Sequence, residues 1–160
     1  MDILVVGSGG REHAIIRALK QSPRAGKLYC APGNGGIACD AVCLPVGAMD
    51  MDGIAKAALD NKVDLVIVAP DDPLVAGMVD YLTEKGISAF GPDKAAAAIE
   101  GSKVFSKNLM KDHGNHSAGY GVLSNPEEAL AYIRRQGTYP AINNADDLAL
   151  GIGGIMAQNE

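Results

Sequence analysis

Four consecutive aliphatic residues, Ile3-Leu4-Val5-Val6, run into Gly7-Ser8-Gly9-Gly10 and then into Arg11-Glu12-His13-Ala14-Ile15-Ile16. That order predicts a buried strand, a tight glycine turn and a helix whose apolar face begins at Ala14 and Ile15. A strand feeding a helix through such a turn commits the chain to an α/β fold on a parallel, Rossmann-like sheet. The glycines let the backbone approach a ligand closely, and the first amides of the helix point at whatever sits there. An anion is the expected occupant. Arg11 adds a planar charged fork suited to a phosphate or carboxylate, on top of the partial positive charge of the helix end.

Spacing separates this turn from the dinucleotide version. The NAD fingerprint is G-x-G-x-x-G with an acidic residue about 20 positions on. Here Glu12 replaces the third glycine, and the second strand, Lys27-Leu28-Tyr29-Cys30, runs into Ala31-Pro32-Gly33-Asn34-Gly35-Gly36 with no carboxylate at its end. An NAD-binding domain is therefore a distant alternative.

Composition narrows the class of ligand. A net charge of -5 without a basic run argues against nucleic acid, whose phosphates need clustered Lys and Arg, so any phosphate bound belongs to a small molecule. No apolar run is long enough to span a bilayer, and Met1-Asp2 leads straight into a strand with no signal peptide pattern. The expected compartment is the cytoplasm, with no membrane partner. Cys30, Cys39 and Cys43 lack C-x-x-C spacing and read as free thiols; His113 and His116 read as solvated loop residues. No metal ligands are assigned.

Further along, strand and helix alternate. The loop after strand two should face the first glycine turn, because parallel strands present their carboxyl ends to one crevice. Ala41 to Leu44 reads as a short strand. Asp50 or Asp52 caps a helix to about Asn61 with Ile54, Ala55, Ala58 and Leu59 inward, and Val63 to Val68 reads as a central strand covered on both faces. Asp72 reads as the N-cap of the next helix with Pro73 at its first position, and Asp71 stands where it could hold an amine or hydroxyls of a ligand. Ile87 to Phe90 is a short strand before an alanine-rich helix to about Glu100. Lys103 and Lys107 share a face of the helix that follows, with Val104, Phe105 and Leu109 spaced for burial. Tyr120 to Leu123 reads as a strand, Asn125-Pro126 opens a helix that Gly137 closes, and two strands joined by a glycine-containing loop complete the chain. Those last elements cannot close a core of their own, so a second domain is expected to open here without its remainder.

With these motifs laid out, the chain resembles the phosphoribosylamine–glycine ligases of the ATP-grasp superfamily. The resemblance rests on Val6-Gly7-Ser8-Gly9-Gly10-Arg11-Glu12-His13-Ala14, Ala31-Pro32-Gly33-Asn34, Pro70 with Pro73-Leu74-Val75-Ala76-Gly77, Phe90-Gly91-Pro92 and Glu100-Gly101-Ser102-Lys103. It implies a Rossmann-like pre-ATP-grasp, substrate-binding domain over residues 1–100 and an incomplete ATP-grasp segment over 101–160. It further implies that ATP, assisted by Mg2+, phosphorylates the carboxylate of glycine, and that the amine of 5-phosphoribosylamine attacks the acyl phosphate to give glycinamide ribonucleotide. By the same resemblance, Gly9, Gly10, Arg11 and Glu12 with Asn34, Asp71, Pro73 and Leu74 form the substrate pocket, and Lys103 belongs to the ATP site.

The chain departs from the family pattern at several positions. Ala69 and Asp71 stand where the family has a glycine and a glutamate around the shared proline. Asn144 and Ile152 replace two lysines, and Asp147 replaces a glycine. Losing two cations forfeits charge-assisted bonds to a triphosphate, so the chain is expected to be incomplete for catalysis by itself. A non-catalytic sugar-phosphate-binding module, or a decayed fragment, is the alternative.

Overall fold

The computed structural model describes residues 1–137, 139–146 and 154–158 and divides the chain into two units, Met1–Ala97 and Ala98–Glu160. In the first, β1 (Ile3–Gly7), β2 (Leu28–Pro32), β3 (Val42–Cys43), β4 (Leu65–Val68) and β5 (Ala89–Phe90) form a parallel sheet in the order β3-β2-β1-β4-β5. The sheet pairs Val5 with Cys30 on one side and with Ile67 on the other. This is the Rossmann-like architecture that the opening stretch predicts. β1, buried at all five positions, lies in the middle of the sheet, and β4 is the interior strand covered on both faces that Val63 to Val68 predicts: Val66 and Val68 are buried in one layer, and Leu65 and Ile67 pack against the other.

Side chains alternate across β1 and divide the core. Leu4 and Val6 pack with Tyr29, Val66 and Val68 under α2 (Met51–Asp60), α3 (Asp71–Ala76), α4 (Met78–Glu84) and the start of α5 (Lys94–Gly101). Ile3 and Val5 pack with Leu28 and Cys30 against Ile16 of α1 (Gly10–Leu19) and Ile37 of a short 3-10 turn. On α1 it is Glu12 and Ile16 that are buried, whereas Ala14 is exposed, so the inner stripe lies one residue away from the expected one.

Asp50, not Asp52, caps α2: its Oδ1 accepts from the Gly53 amide at 2.9 Å. Replacing it with alanine is expected to cost about 1 kcal/mol, the usual value of an N-cap, read as a lowered urea midpoint. Leu59, expected to face inward, is 61% exposed, and Ala57 takes the inner place. Downstream, Asp72 is not a cap. Pro70, in extended conformation, is the N-cap of α3, which puts Pro73 in the first turn, where its missing N–H costs nothing. Gly77, at φ +97°, then breaks what reads as one helix into α3 and α4.

The second unit contains α6 (Lys103–Asp112), α7 (Pro126–Gln136) and an antiparallel pair, β6 (Ala141–Asn144) with β7 (Gly154–Ala157). Asn125 caps α7 through the Glu128 amide at 2.9 Å, and Gly137 closes it at φ +62°. Tyr120 to Leu123 is irregular and not a strand. No described residue from 98 onward is buried, and Phe105, expected inside, is exposed. The loop positions Asp147 and Ile152 lie outside the described residues.

Candidate functional site

The carboxyl edges of β1, β2 and β4 meet in one crevice of the first unit. Gly7, at φ +123°, turns the chain out of β1, and its carbonyl accepts from the Gly33 amide at 3.0 Å. Asn34 ties the same two loops: its Nδ2 donates to Ser8 O at 2.6 Å while its Oδ1 accepts from the amides of Gly36 and Ile37. The loops therefore face each other, as parallel-strand geometry requires.

Arg11 spans to the third loop. Its Nη1 donates to Ala69 O and to Asp71 Oδ1, each at 3.1 Å, across side chains that are 62% and 40% exposed. In that setting the pair contributes about 0–1 kcal/mol to stability, so its interest lies in what it places at the crevice. Asp71 is the first residue of α3 and stands beside Arg11 at the end of β4, a juxtaposition of cation and carboxylate that sequence spacing alone does not reveal.

Glu12 turns inward. It is 5% exposed, and its Oε2 accepts from the Gly9 amide at 2.5 Å. This is the reciprocal half of a capping box, with glycine offering no side chain for the other half. The carboxyl stem lies under the glycine turn, where a Cβ on Gly7 would come within 2.7 Å of Glu12 Cγ. Glu12 is thus a positioning residue for the turn, placed behind it and not at its mouth. Pro73 and Leu74 are also buried, so their side chains belong to the core; a contribution to a ligand from that loop comes from backbone groups or from Asp71.

A second cluster lies beside α1. Asp40 accepts from Lys20 Nζ at 2.6 Å and sits 2.9 Å from His13 Nε2. Lys20, then His13, holds the Asp40 carboxyl well below its ordinary 3.8, at about 2. A depressed folded pKa means that this contribution to stability is present above pH 3.8 and is lost as pH falls toward 2. Asp40→Asn is therefore expected to flatten the loss of stability across that window, as measured by urea unfolding at successive pH values. Sequence spacing gives no sign of this cluster, since His13 and Asp40 stand 27 residues apart.

Cys30 is buried, its thiol pushed up to about 12 by that burial and then by Cys43 and Glu12, so it is a packing residue and not a nucleophile toward solvent. In the second unit, Lys103 Nζ donates to Ala145 O at 3.0 Å. Asp146 accepts from the Val104 amide at 2.9 Å and from the Ser102 hydroxyl, which hold its carboxyl below the usual range in that order. Among the described residues no three His, Cys, Asp or Glu side chains are grouped to hold a metal ion, and no helix is long and apolar enough to cross a membrane.

A parallel sheet whose loops converge at its carboxyl edge, with Arg11 and Asp71 paired there, defines a Rossmann-like α/β domain. The family described as phosphoribosylglycinamide synthetase, N domain, matches residues 1–100, and the ATP-grasp (A) domain of the same synthetase matches residues 101–160. The chain belongs to the phosphoribosylglycinamide synthetase family. It is 43% identical over 159 residues to the phosphoribosylamine–glycine ligase of Clostridium acetobutylicum, covering 99% of this chain and 38% of that protein. The crystal structure of the Thermotoga maritima ligase matches with a TM-score of 0.76 at 28% identity, over 99% of this chain and 36% of the other. At 22% identity, a likeness of fold alone, the biotin carboxylase domain of Hydrogenobacter thermophilus 2-oxoglutarate carboxylase, solved with MgADP and bicarbonate, gives a TM-score of 0.76 over 99% of this chain and 37% of that one. The chain thus spans a little over a third of the length of the proteins it matches.

Proposed function

We propose that this chain supplies the sugar-binding domain and the opening of the ATP-grasp domain of a cytoplasmic phosphoribosylamine–glycine ligase. That enzyme would join glycine to 5-phosphoribosylamine at the expense of ATP, in purine biosynthesis. The observation that carries this reading is the convergence of Gly9, Gly10 and Arg11 with Asn34 and Asp71 on one crevice within the segment that matches the family.

In this reading the three loops bind and orient phosphoribosylamine. Asp71 would accept from its amine or hydroxyls, the first-turn amides would donate to it, and Asn34 would hold the second loop in place. Lys103 is the cation that the second unit would offer to a nucleotide phosphate. Asn144, where the family resemblance expects a lysine, is exposed and uncharged.

Calorimetric titration with glycinamide ribonucleotide tests the proposal. Saturable one-site binding is expected; absence of binding would remove the sugar-binding role. Saturable binding of NAD in its place would favour the NAD-binding alternative, against which Glu12 in place of the third fingerprint glycine and the carboxylate-free end of β2 both stand.

A further inference from the structure

Two of the three free cysteines are partners in the sheet. Cys30 of β2 and Cys43 of β3 pair Cα to Cα in the parallel ladder, so their side chains leave the same face, and both pack in the layer that holds Val5 and Ile16. Neighbouring strands run about 4.8 Å apart, inside the roughly 4.4–6.8 Å that separates the Cα atoms of a disulfide. Gly33 gives a second measure of their closeness. A Cβ built there would lie 3.3 Å from Cys43 Cβ and 3.4 Å from Cys30 Cβ, and would collide with Cys43 Sγ. The space that a side chain would fill beneath this loop is taken by the Cys43 sulfur.

The two thiols differ in access. Cys30 is fully buried, whereas Cys43 is half-buried on β3, a two-residue strand at the edge of the sheet. A small oxidant can therefore reach Cys43 and not Cys30. Each thiol donates to a carbonyl of a crevice loop, Cys30 to Gly7 O at 3.3 Å and Cys43 to Asn34 O at 3.7 Å. Both carbonyls keep a backbone donor if the sulfurs turn toward each other: the Gly33 amide at 3.0 Å and the Ala38 amide at 2.9 Å. Pairing the sulfurs thus orphans no polar group.

We propose that Cys30 and Cys43 form a reversible disulfide in the presence of hydrogen peroxide, a bond that ties β3 to β2 beneath the second loop of the crevice. The Cys43 thiolate attacks a peroxide oxygen, the O–O bond breaks, and the departing hydroxide takes up a proton as water, leaving a sulfenic acid. The Cys30 sulfur, held against it, then attacks the sulfenic sulfur. The S–O bond breaks and the second hydroxide takes the Cys30 proton as water. Two thiols are oxidised and one peroxide is reduced to two waters. A reducing thiol reverses the bond by attacking the accessible Cys43 sulfur with return of a proton to Cys30, and a second thiol frees Cys43. Cys39, exposed and bonded to Gly35 O, lies outside the strand pairing.

The test treats the reduced full chain with hydrogen peroxide, alkylates it and maps its peptides by mass without reduction. The expected product is a linked Cys30–Cys43 peptide, two hydrogens lighter than its separate halves. It should disappear with dithiothreitol, persist in Cys39→Ser and be absent in Cys43→Ser, where Cys30 stays open to alkylation after unfolding. The Leu44 amide donates to Cys30 O at 2.8 Å across the same strand pair, and its hydrogen exchange should slow by roughly tenfold or more in the oxidised chain. A bridge made by Cys39 would overturn the proposal, as would Cys43 driven to sulfinic acid while Cys30 stays reduced. So would a bridged chain whose Leu44 exchange is unchanged. None of these results bears on the proposed function, since no sugar ligand enters the test.

Discussion

Replacing Gly7 with alanine is expected to destabilise the first unit by about 2–6 kcal/mol. The residue sits at φ +123°, a region that side chains with a Cβ rarely enter, and such strain costs about 1–3 kcal/mol. The new Cβ would also lie 2.7 and 2.8 Å from Glu12 Cγ and Cδ and 2.9 Å from Pro70 Cγ. Forcing atoms into a packed site adds about 1–3 kcal/mol. The neighbours cannot simply yield, because Glu12 is pinned by its bond to Gly9 and Pro70 is the N-cap of α3. Gly10→Ala is the internal control: nothing lies within 4 Å of its Cβ position, and it begins a helix, where alanine is no worse than glycine. Urea unfolding should show a large drop in midpoint for Gly7→Ala and almost none for Gly10→Ala. Equal effects would mean that the turn is not held in this conformation.

Leu4→Ala should be comparably severe. Leu4 is fully buried on the central strand, between a neighbour strand on each side and among Val66, Ile54 and Met78 in the larger core layer. Deleting most of its side chain from a site that cannot collapse costs about 2–5 kcal/mol in transfer and cavity terms. Leu59→Ala, on the exposed side of α2, should change stability by less than about 0.5 kcal/mol. The contrast also tests the corrected orientation of α2, since a large effect at Leu59 would restore it to the core.

The sheet was legible because its strands are short aliphatic runs punctuated by glycine and proline, and because parallel strands must send their carboxyl ends to one side. That logic places Asn34 and Asp71 across from the glycine turn from sequence order alone. The inner stripe of a helix is set more finely. At α1, entry through Gly9 rotates the stripe onto Glu12 and Ile16, and a buried carboxylate is not what hydrophobic periodicity seeks. At α3, proline is tolerated throughout the first turn and not only at its first position, so Pro73 could not fix the helix start to one residue. Tyr120 to Leu123 has strand-forming residues but no neighbouring strand among the described residues, and β propensity without a partner does not make a strand.

Parallel-strand logic brings Arg11, Asn34 and Asp71 to one edge of the sheet, and it does not reveal how their side chains pair. Arg11 and Asp71 bond to one another, a pairing set by side-chain reach across two loops 60 residues apart. Glu12 is buried and holds the turn through the Gly9 amide, a bond that hydrophobic periodicity does not announce.

Amide hydrogen exchange of the chain, with and without glycinamide ribonucleotide, tests most directly that this crevice is the substrate site. Added protection is expected at Ser8 to Arg11, Gly33 to Ile37 and Asp71 to Asp72, with little change at the far ends of β1, β2 and β4. Protection confined to other segments, with these three loops unchanged, would contradict the assignment.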